Sequence, residues 1–125
     1  MSIAAIAYIE KLMQSIGIPY EFMRWNADEV PDVYFVGEYL ESPSASRHES
    51  GHSESTFILR GFTRGEWMGL EQAKAKIEAH AAKTAILDDG TGIAVFYDTA
   101  TPVPTADAEL KSIKINLNIQ EWRVN

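Results

Sequence analysis

The chain has 125 residues, 46% of them apolar and 23% charged, no cysteine, and a formal charge of 11 minus 18, or −7. That length suits one domain around one core, and the composition excludes general disorder. Without cysteine there is no disulfide framework, thiolate zinc site or cysteine nucleophile, and the acidic balance excludes a Lys/Arg-rich face that grips a phosphate backbone.

The first element follows at once. Ile3, Ile6, Ile9, Leu12, Met13 and Ile16 recur at three- and four-residue steps, with Ser2 before them as a cap and Gly17 and Pro19 after them as a stop. This predicts an amphipathic helix that packs on a sheet or docks on a neighbour in an assembly. The same stretch lacks the basic start and cleavage site of a secretion signal, and no apolar run approaches a bilayer span, so the expectation is a protein made and kept inside a cell.

Tyr20, Phe22 and residues 23–25 suggest a short strand, and residues 26–31 a polar turn. Residues 33–40 and 56–62 are rich in β-formers. Between them, residues 41–55 are loaded with Ser, Glu, Gly and His, which predicts two strands joined by a long hairpin loop. Trp67, Leu70, Ala73, Ala75, Ile77 and Ala81 mark a second amphipathic helix, with Thr63 and Glu66 spaced as a capping box. Asp88-Asp89-Gly90 reads as a turn between strands at 84–87 and 92–97, and Pro102 and Pro104 are expected to break the chain.

Ile113, Ile115, Leu117 and Ile119 alternate strictly with Lys114, Asn116, Asn118 and Gln120, the pattern of a strand with one buried face. Trp122 and Val124 have the opposite parity, which predicts a bulge near Gln120 or Glu121 that returns them to the core. The expected architecture is a single α+β domain over 1–125. Its order is α-β-β-β-α-β-β-β: a mainly antiparallel sheet with two helices and a long hairpin loop near 41–55.

One string resembles an active site. His48-Glu49-Ser50-Gly51-His52 matches the zinc-protease pattern, in which a helix sets two imidazoles on one face with a glutamate as general base. Here Gly51 and the Ser-rich flanks remove the helix, and His80, on the second predicted helix, is the remaining histidine for a third ligand. Neither a catalytic nor a metal site is expected, and Zn²⁺ held by His48 and His52 would be adventitious. His80 is expected to cap helix carbonyls, and Asp88, Asp89 and Asp98 to serve turns and strand ends. Gly90-Thr91-Gly92 is too short for a phosphate loop, so no cofactor is implied. Trp25, Trp67 and Trp122 are expected in the core or partly buried at an interface.

Most of the charge sits in one segment. Asp28, Glu29, Asp32, Glu38, Glu41, Glu49 and Glu54 stand against Arg47 alone, a balance of 1 minus 7, or −6, and form a candidate interaction surface.

The ordered combination of the N-terminal helix, residues 31–39, the strand Thr56-Phe57-Ile58-Leu59-Arg60-Gly61-Phe62-Thr63-Arg64-Gly65, the helix 67–80, Val95-Phe96-Tyr97, Pro102-Val103-Pro104 and residues 110–122 resembles the tail-completion or tail-terminator proteins of long-tailed bacteriophages and prophages. The resemblance spans most of the chain and implies no catalytic residue. It implies a virion structural protein, assembled in the bacterial cytoplasm, that forms a hexameric ring at the head-tail junction. Its partners would be copies of itself, the tail tube and head-completion proteins, with neither specific nucleic-acid binding nor a membrane. Part of the acidic segment is then expected to line the lumen, where an anionic wall lets DNA slide, or to meet a basic partner. Two readings compete with it: a small cytoplasmic binding module, and a metal-dependent hydrolase using His48, Glu49 and His52.

Overall fold

The computed structural model describes residues 1–41 and 52–123. Its elements run α1 (Ile3–Ser15), β1 (Tyr20–Phe22), β2 (Val33–Glu41), β3 (Ser53–Thr63), α2 (Trp67–Ala81), β4 (Lys83–Ile86), β5 (Thr91–Val103) and β6 (Lys111–Arg123). The strands form one sheet in the order β1-β2-β3-β6-β5-β4. β1 runs parallel to β2, and every other neighbouring pair is antiparallel. This is the α+β class and element order that the periodicities predict.

The last strand of the chain lies in the middle of the sheet, between β3 and β5. Its alternation places Ile113, Ile115, Leu117 and Ile119 in the core with Phe35, Phe57, Leu59, Ile93 and Val95, under Ile9, Leu12 and Met13 of α1 and Leu70 and Ile77 of α2. Each such side chain contributes about 1.5–3 kcal/mol by leaving water. Both helices pack on this face; the other face of the sheet carries Tyr34, Val36, Ile58, Arg60, Phe62, Lys114, Asn116 and Asn118, none of them fully buried.

Five local expectations are corrected. No bulge occurs at Gln120 or Glu121: the β5–β6 register runs unbroken from Thr91↔Arg123 to Tyr97↔Leu117 and shifts only between Tyr97 and Thr99. Glu121 therefore keeps core parity and is buried, and the half-buried Trp122 lies over Gly92 on the other face, where any Cβ would collide with its indole. Nor does the carboxylate lack partners. Glu121 accepts hydrogen bonds from the Ser2 amide (3.2 Å) and the Ser2 hydroxyl, while Ser2 Oγ accepts from the Ala5 amide (3.1 Å). The buried carboxylate thus sits at the positive end of α1 and takes the Ser2 amide, while the Ser2 hydroxyl bridges it to the Ala5 amide.

The hairpin loop is shorter than 41–55, because Glu41 pairs with Ser55 and β6 supplies a ladder for Ser53 to Ser55 on their other side. Pro102 does not end its strand. It pairs with Ile113 in a stretch of β5 that β4 leaves uncovered, and a free edge is where a sheet tolerates proline. Thr63 does not cap α2, whose N-cap is Glu66 without a side-chain bond; the Thr63 hydroxyl accepts from the Gly65 amide instead. Ile3, counted in the apolar stripe of α1, is exposed, and Ala5 takes a core position in its place.

Gly17 ends α1 at φ +74°, with its amide bonded to the Gln14 carbonyl and the Ile18 amide to the Met13 carbonyl, the paired bonds of a glycine C-cap. The chain then has only residues 23–32 in which to leave β1 and return parallel to it as β2, a tight connection for parallel neighbours. It turns at Met23, which stands at φ +71° between the Phe22 carbonyl and the Arg24 amide (2.9 Å) in a three-residue γ-turn. A side chain in that conformation costs about 1–2 kcal/mol relative to glycine.

The Ser2 and Glu121 contact yields the first prediction. Ser2→Ala removes a helix cap and one partner of a buried carboxylate, and should lower the unfolding free energy by about 1–2 kcal/mol in urea denaturation.

Candidate functional site

The acidic residues picked out by the sequence do not form one patch. Asp28 and Glu29 lie in an exposed turn beside the β1 edge. The turn is anchored on both sides: the Glu21 carboxylate accepts from the Asn26 and Ala27 amides (3.1 Å each), and Trp25 Nε1 donates to the Glu29 carbonyl (3.0 Å). Trp25 itself rests on Tyr34, which stacks on Phe62, with centroids 5.2 and 5.4 Å apart. The three rings reach the sheet face that carries no helix. Trp25, Trp67 and Trp122 are all half-buried, and Trp67 packs against the core.

Asp32 lies beside Gly65, at the start of β2. Glu41 ends that strand eight residues beyond Val33, about 26 Å away at the usual strand rise. Its carboxylate pairs with the amino group of Met1 on the helix-bearing side. Glu38 and Glu54 share the open face with the aromatic rings. Glu38 pairs with Arg60 at 2.5 Å, and Glu54 accepts from Asn118 Nδ2 at 2.8 Å. The open face therefore holds two of the seven candidates, the β1-edge turn another two, and the two ends of β2 one each. Glu49 lies outside the described residues, as do His48 and the rest of the zinc-protease string apart from His52.

Among the described residues, no group of three or more His, Asp or Glu side chains is arranged to hold a metal. His80 Nδ1 lies 2.8 Å from the Lys76 carbonyl one turn earlier in α2, a local contact within the helix rather than a cap on its last carbonyls. Asp89 also behaves as a turn residue: its carboxylate accepts from the Thr91 amide (2.9 Å), which holds its pKa below the ordinary value, while Gly90 takes φ +85°. Asp98 falls at the register shift inside β5 rather than after the strand.

Two features were not legible in the sequence. One is the exposed apolar pair Met23 and Val30 at the β1 edge. The other is a cleft of about 350 Å³ at the opposite end of the sheet, between α1 and the β4–β5 turn. Ile3, Ala4, Ala7 and Tyr8 form one wall and Ile86 and Leu87 the other, with Lys11, Asp88 and Asp89 at the polar rim. Lys11 and Asp88 stand 3.6 Å apart and are both well exposed, a pairing of little energetic weight. The only sequence signal for the cleft was the apolar Ile3 beyond the end of the stripe that is in fact buried.

Of the described charge pairs, one ties down a connection. Arg64 Nη1 meets the Asp107 carboxylate at 2.8 Å, and the other carboxylate oxygen accepts from the Glu109 amide at 2.9 Å. The backbone bond first and the guanidinium second hold Asp107 below the ordinary aspartate value of 3.8. No protein-family model matches the sequence, and no curated protein matches it.

A carboxylate with a lowered folded-state pKa adds stability above its unfolded pKa and loses it as pH falls through the folded value. Asp107→Asn should therefore flatten the fall of Tm between about pH 5 and pH 2 relative to the parent protein, read by thermal melts across that range.

Proposed function

We propose that the chain is a structural subunit of a phage or prophage tail, a terminator or completion protein that assembles as a ring at the head-tail junction. The observation that carries this reading is the placement of exposed apolar side chains at opposite ends of the sheet, Met23 and Val30 beside β1 and Ile86 on β4. A subunit with unlike contact surfaces at its two edges associates head to tail, and closes a ring when the rotation per step allows. The element order described for the resemblance supports reading that ring as a tail terminator. In this reading the partners are further copies of the chain, the tail tube and head-completion proteins, in the virion rather than at a membrane.

The exposed β1-edge turn, with Asp28 and Glu29, and Glu54 on the open face supply the acidic side chains for this reading. Glu54, Glu38, Asp28 and Glu29 would face the lumen or a basic neighbour, where an anionic wall keeps DNA from binding tightly. A small binding module would instead use the cleft under α1, whose volume is at the lower end of the roughly 300–1,000 Å³ usual for ligand sites.

Negative-stain microscopy of the purified protein, with sedimentation velocity over a wide concentration range, tests the proposal. Six-fold rings, or a monomer that passes into hexamer as concentration rises, are expected. A strict monomer from micromolar to millimolar concentration would sink it.

A further inference from the structure

We propose that the sheet face without helices is a two-fold contact with a second copy of the chain. The contact is separate from the sheet edges that carry the ring reading, so either can hold without the other.

The face is self-complementary in charge. Arg60 and Lys114 are direct partners across β3 and β6, and like charges so placed repel. Glu38 offsets Arg60, but among the described residues no carboxylate pairs with Lys114. Glu54 stands six residues from Arg60 along β3, about 20 Å at the usual strand rise. Its carboxylate takes the Asn118 amide and, among the described residues, pairs with no cation. Arg60 and Lys114 against Glu38 and Glu54 give 2 minus 2, or no net charge, with the spare cation at one end and the spare anion at the other. Asp98 stands outside this set, at the register shift on the uncovered rim of β5.

A two-fold axis makes use of that separation. Alternation puts Glu54, Thr56, Ile58 and Arg60 on one face, so an axis lying along the sheet, across the strands and over Phe57, exchanges Glu54 with Arg60. Each Glu54 then meets Arg60 and Lys114 of the other copy. The same residues serve both sides, as an isologous contact requires.

The same axis gathers the apolar side chains. Leu40 and Phe96 share one cross-strand row with Thr56 and Asn118, and Ile58 lies in the next row, on the other side of the axis. Leu40 is 64% exposed and Phe96 49% exposed, while Ile58 is half-buried. Rotation about the axis keeps each residue near the line of its own strand, so each of the three comes beside its counterpart at the centre, with the charges outside. Sheets packed face to face lie about 10 Å apart, which leaves room for these side chains to interlock. Four strands over the rows from Glu54 to Phe62 cover about 20 by 25 Å. The pair therefore buries about 1,000 Å² in all, the lower bound for a specific interface, which makes the dimer weak and concentration-dependent.

Sedimentation velocity of the full chain from micromolar to millimolar concentration, with charge-reversal variants, tests the contact. The parent should pass from monomer to dimer, or from single to paired rings where rings form. Glu54→Lys and Lys114→Glu each set like charges together at both ends of the dimer, and each should weaken self-association by about tenfold or more. Mixed one to one, the two should associate nearly as strongly as the parent, because the reversed charges meet at one end and the parent pair at the other. Leu40→Asn, which leaves the charges alone, should weaken the dimer as well and should not be rescued by either variant. Variants that self-associate as strongly as the parent, or a mixture no stronger than its components, overturn the contact. Single six-membered rings that never pair overturn it and leave the ring reading standing. A dimer that responds to the variants as stated but forms no ring does the reverse, and a parent that stays monomeric overturns both.

Discussion

The fold depends on β6. It is hydrogen-bonded on both sides, from Ser53↔Glu121 to Thr63↔Lys111 along β3 and from Thr91↔Arg123 to Val103↔Ser112 along β5. Its inward residues are the floor on which both helices rest. Because side chains alternate strictly along a strand, the same register that buries Ile113 to Ile119 also carries Glu121 inward, and a buried carboxylate without partners would be unstable there. The start of α1 resolves the conflict. The Ser2 amide and hydroxyl, at its N-cap, meet Glu121, so the first and last elements of the chain are joined through one polar contact at the start of the helix.

That arrangement leaves an asymmetric molecule. With α1 and α2 both drawn to the β6 floor, the opposite face must rely on its own side chains. It does so by pairing them across strands: Arg60 with Glu38, Glu54 with Asn118, Asn116 with Thr99, and Tyr34 against Phe62. Such cross-strand pairs each contribute about 0.2–1 kcal/mol. The face is thus held by its own cross-strand pairs, and it also presents the exposed side chains of Leu40 and Phe96 to solvent.

The strongly periodic parts of the sequence were read correctly. The β6 alternation, the two helices and the Asp88-Asp89-Gly90 turn all stand where their patterns put them, since each pattern is generated by the local geometry of the element itself. What failed depended on neighbours. Ser53 to Ser55 read as loop because serine is a weak strand former, and they became strand because β6 was beside them. The bulge near Gln120 or Glu121 was inferred on the assumption that Trp122 must return to the core; instead the register stays unbroken, Trp122 lies over Gly92 on the other face, and Ser2 at the α1 N-terminus meets the buried Glu121. The acidic cluster was contiguous only along the chain. Val33 and Glu41 end the same strand, so the residues beside them separate in space, and parity then divides Glu38 from Glu41 across the sheet.

The Met23 turn shows how stability and surface are set against each other. β1 is only three residues long and must run parallel to β2, so the chain has to reverse at once after Phe22. Steric rules favour glycine at such a reversal, and a domain selected for its own stability would gain by having it. The methionine instead keeps an apolar side chain at the outermost strand of the sheet, anchored by the bond from its amide to the Gly37 carbonyl (2.8 Å). In the single chain most of that side chain stays in water. Full burial of such a side chain, about 1.5–3 kcal/mol, is of the same order as the strain of about 1–2 kcal/mol that holds it in place, so covering the exposed part of Met23 would offset much of that strain.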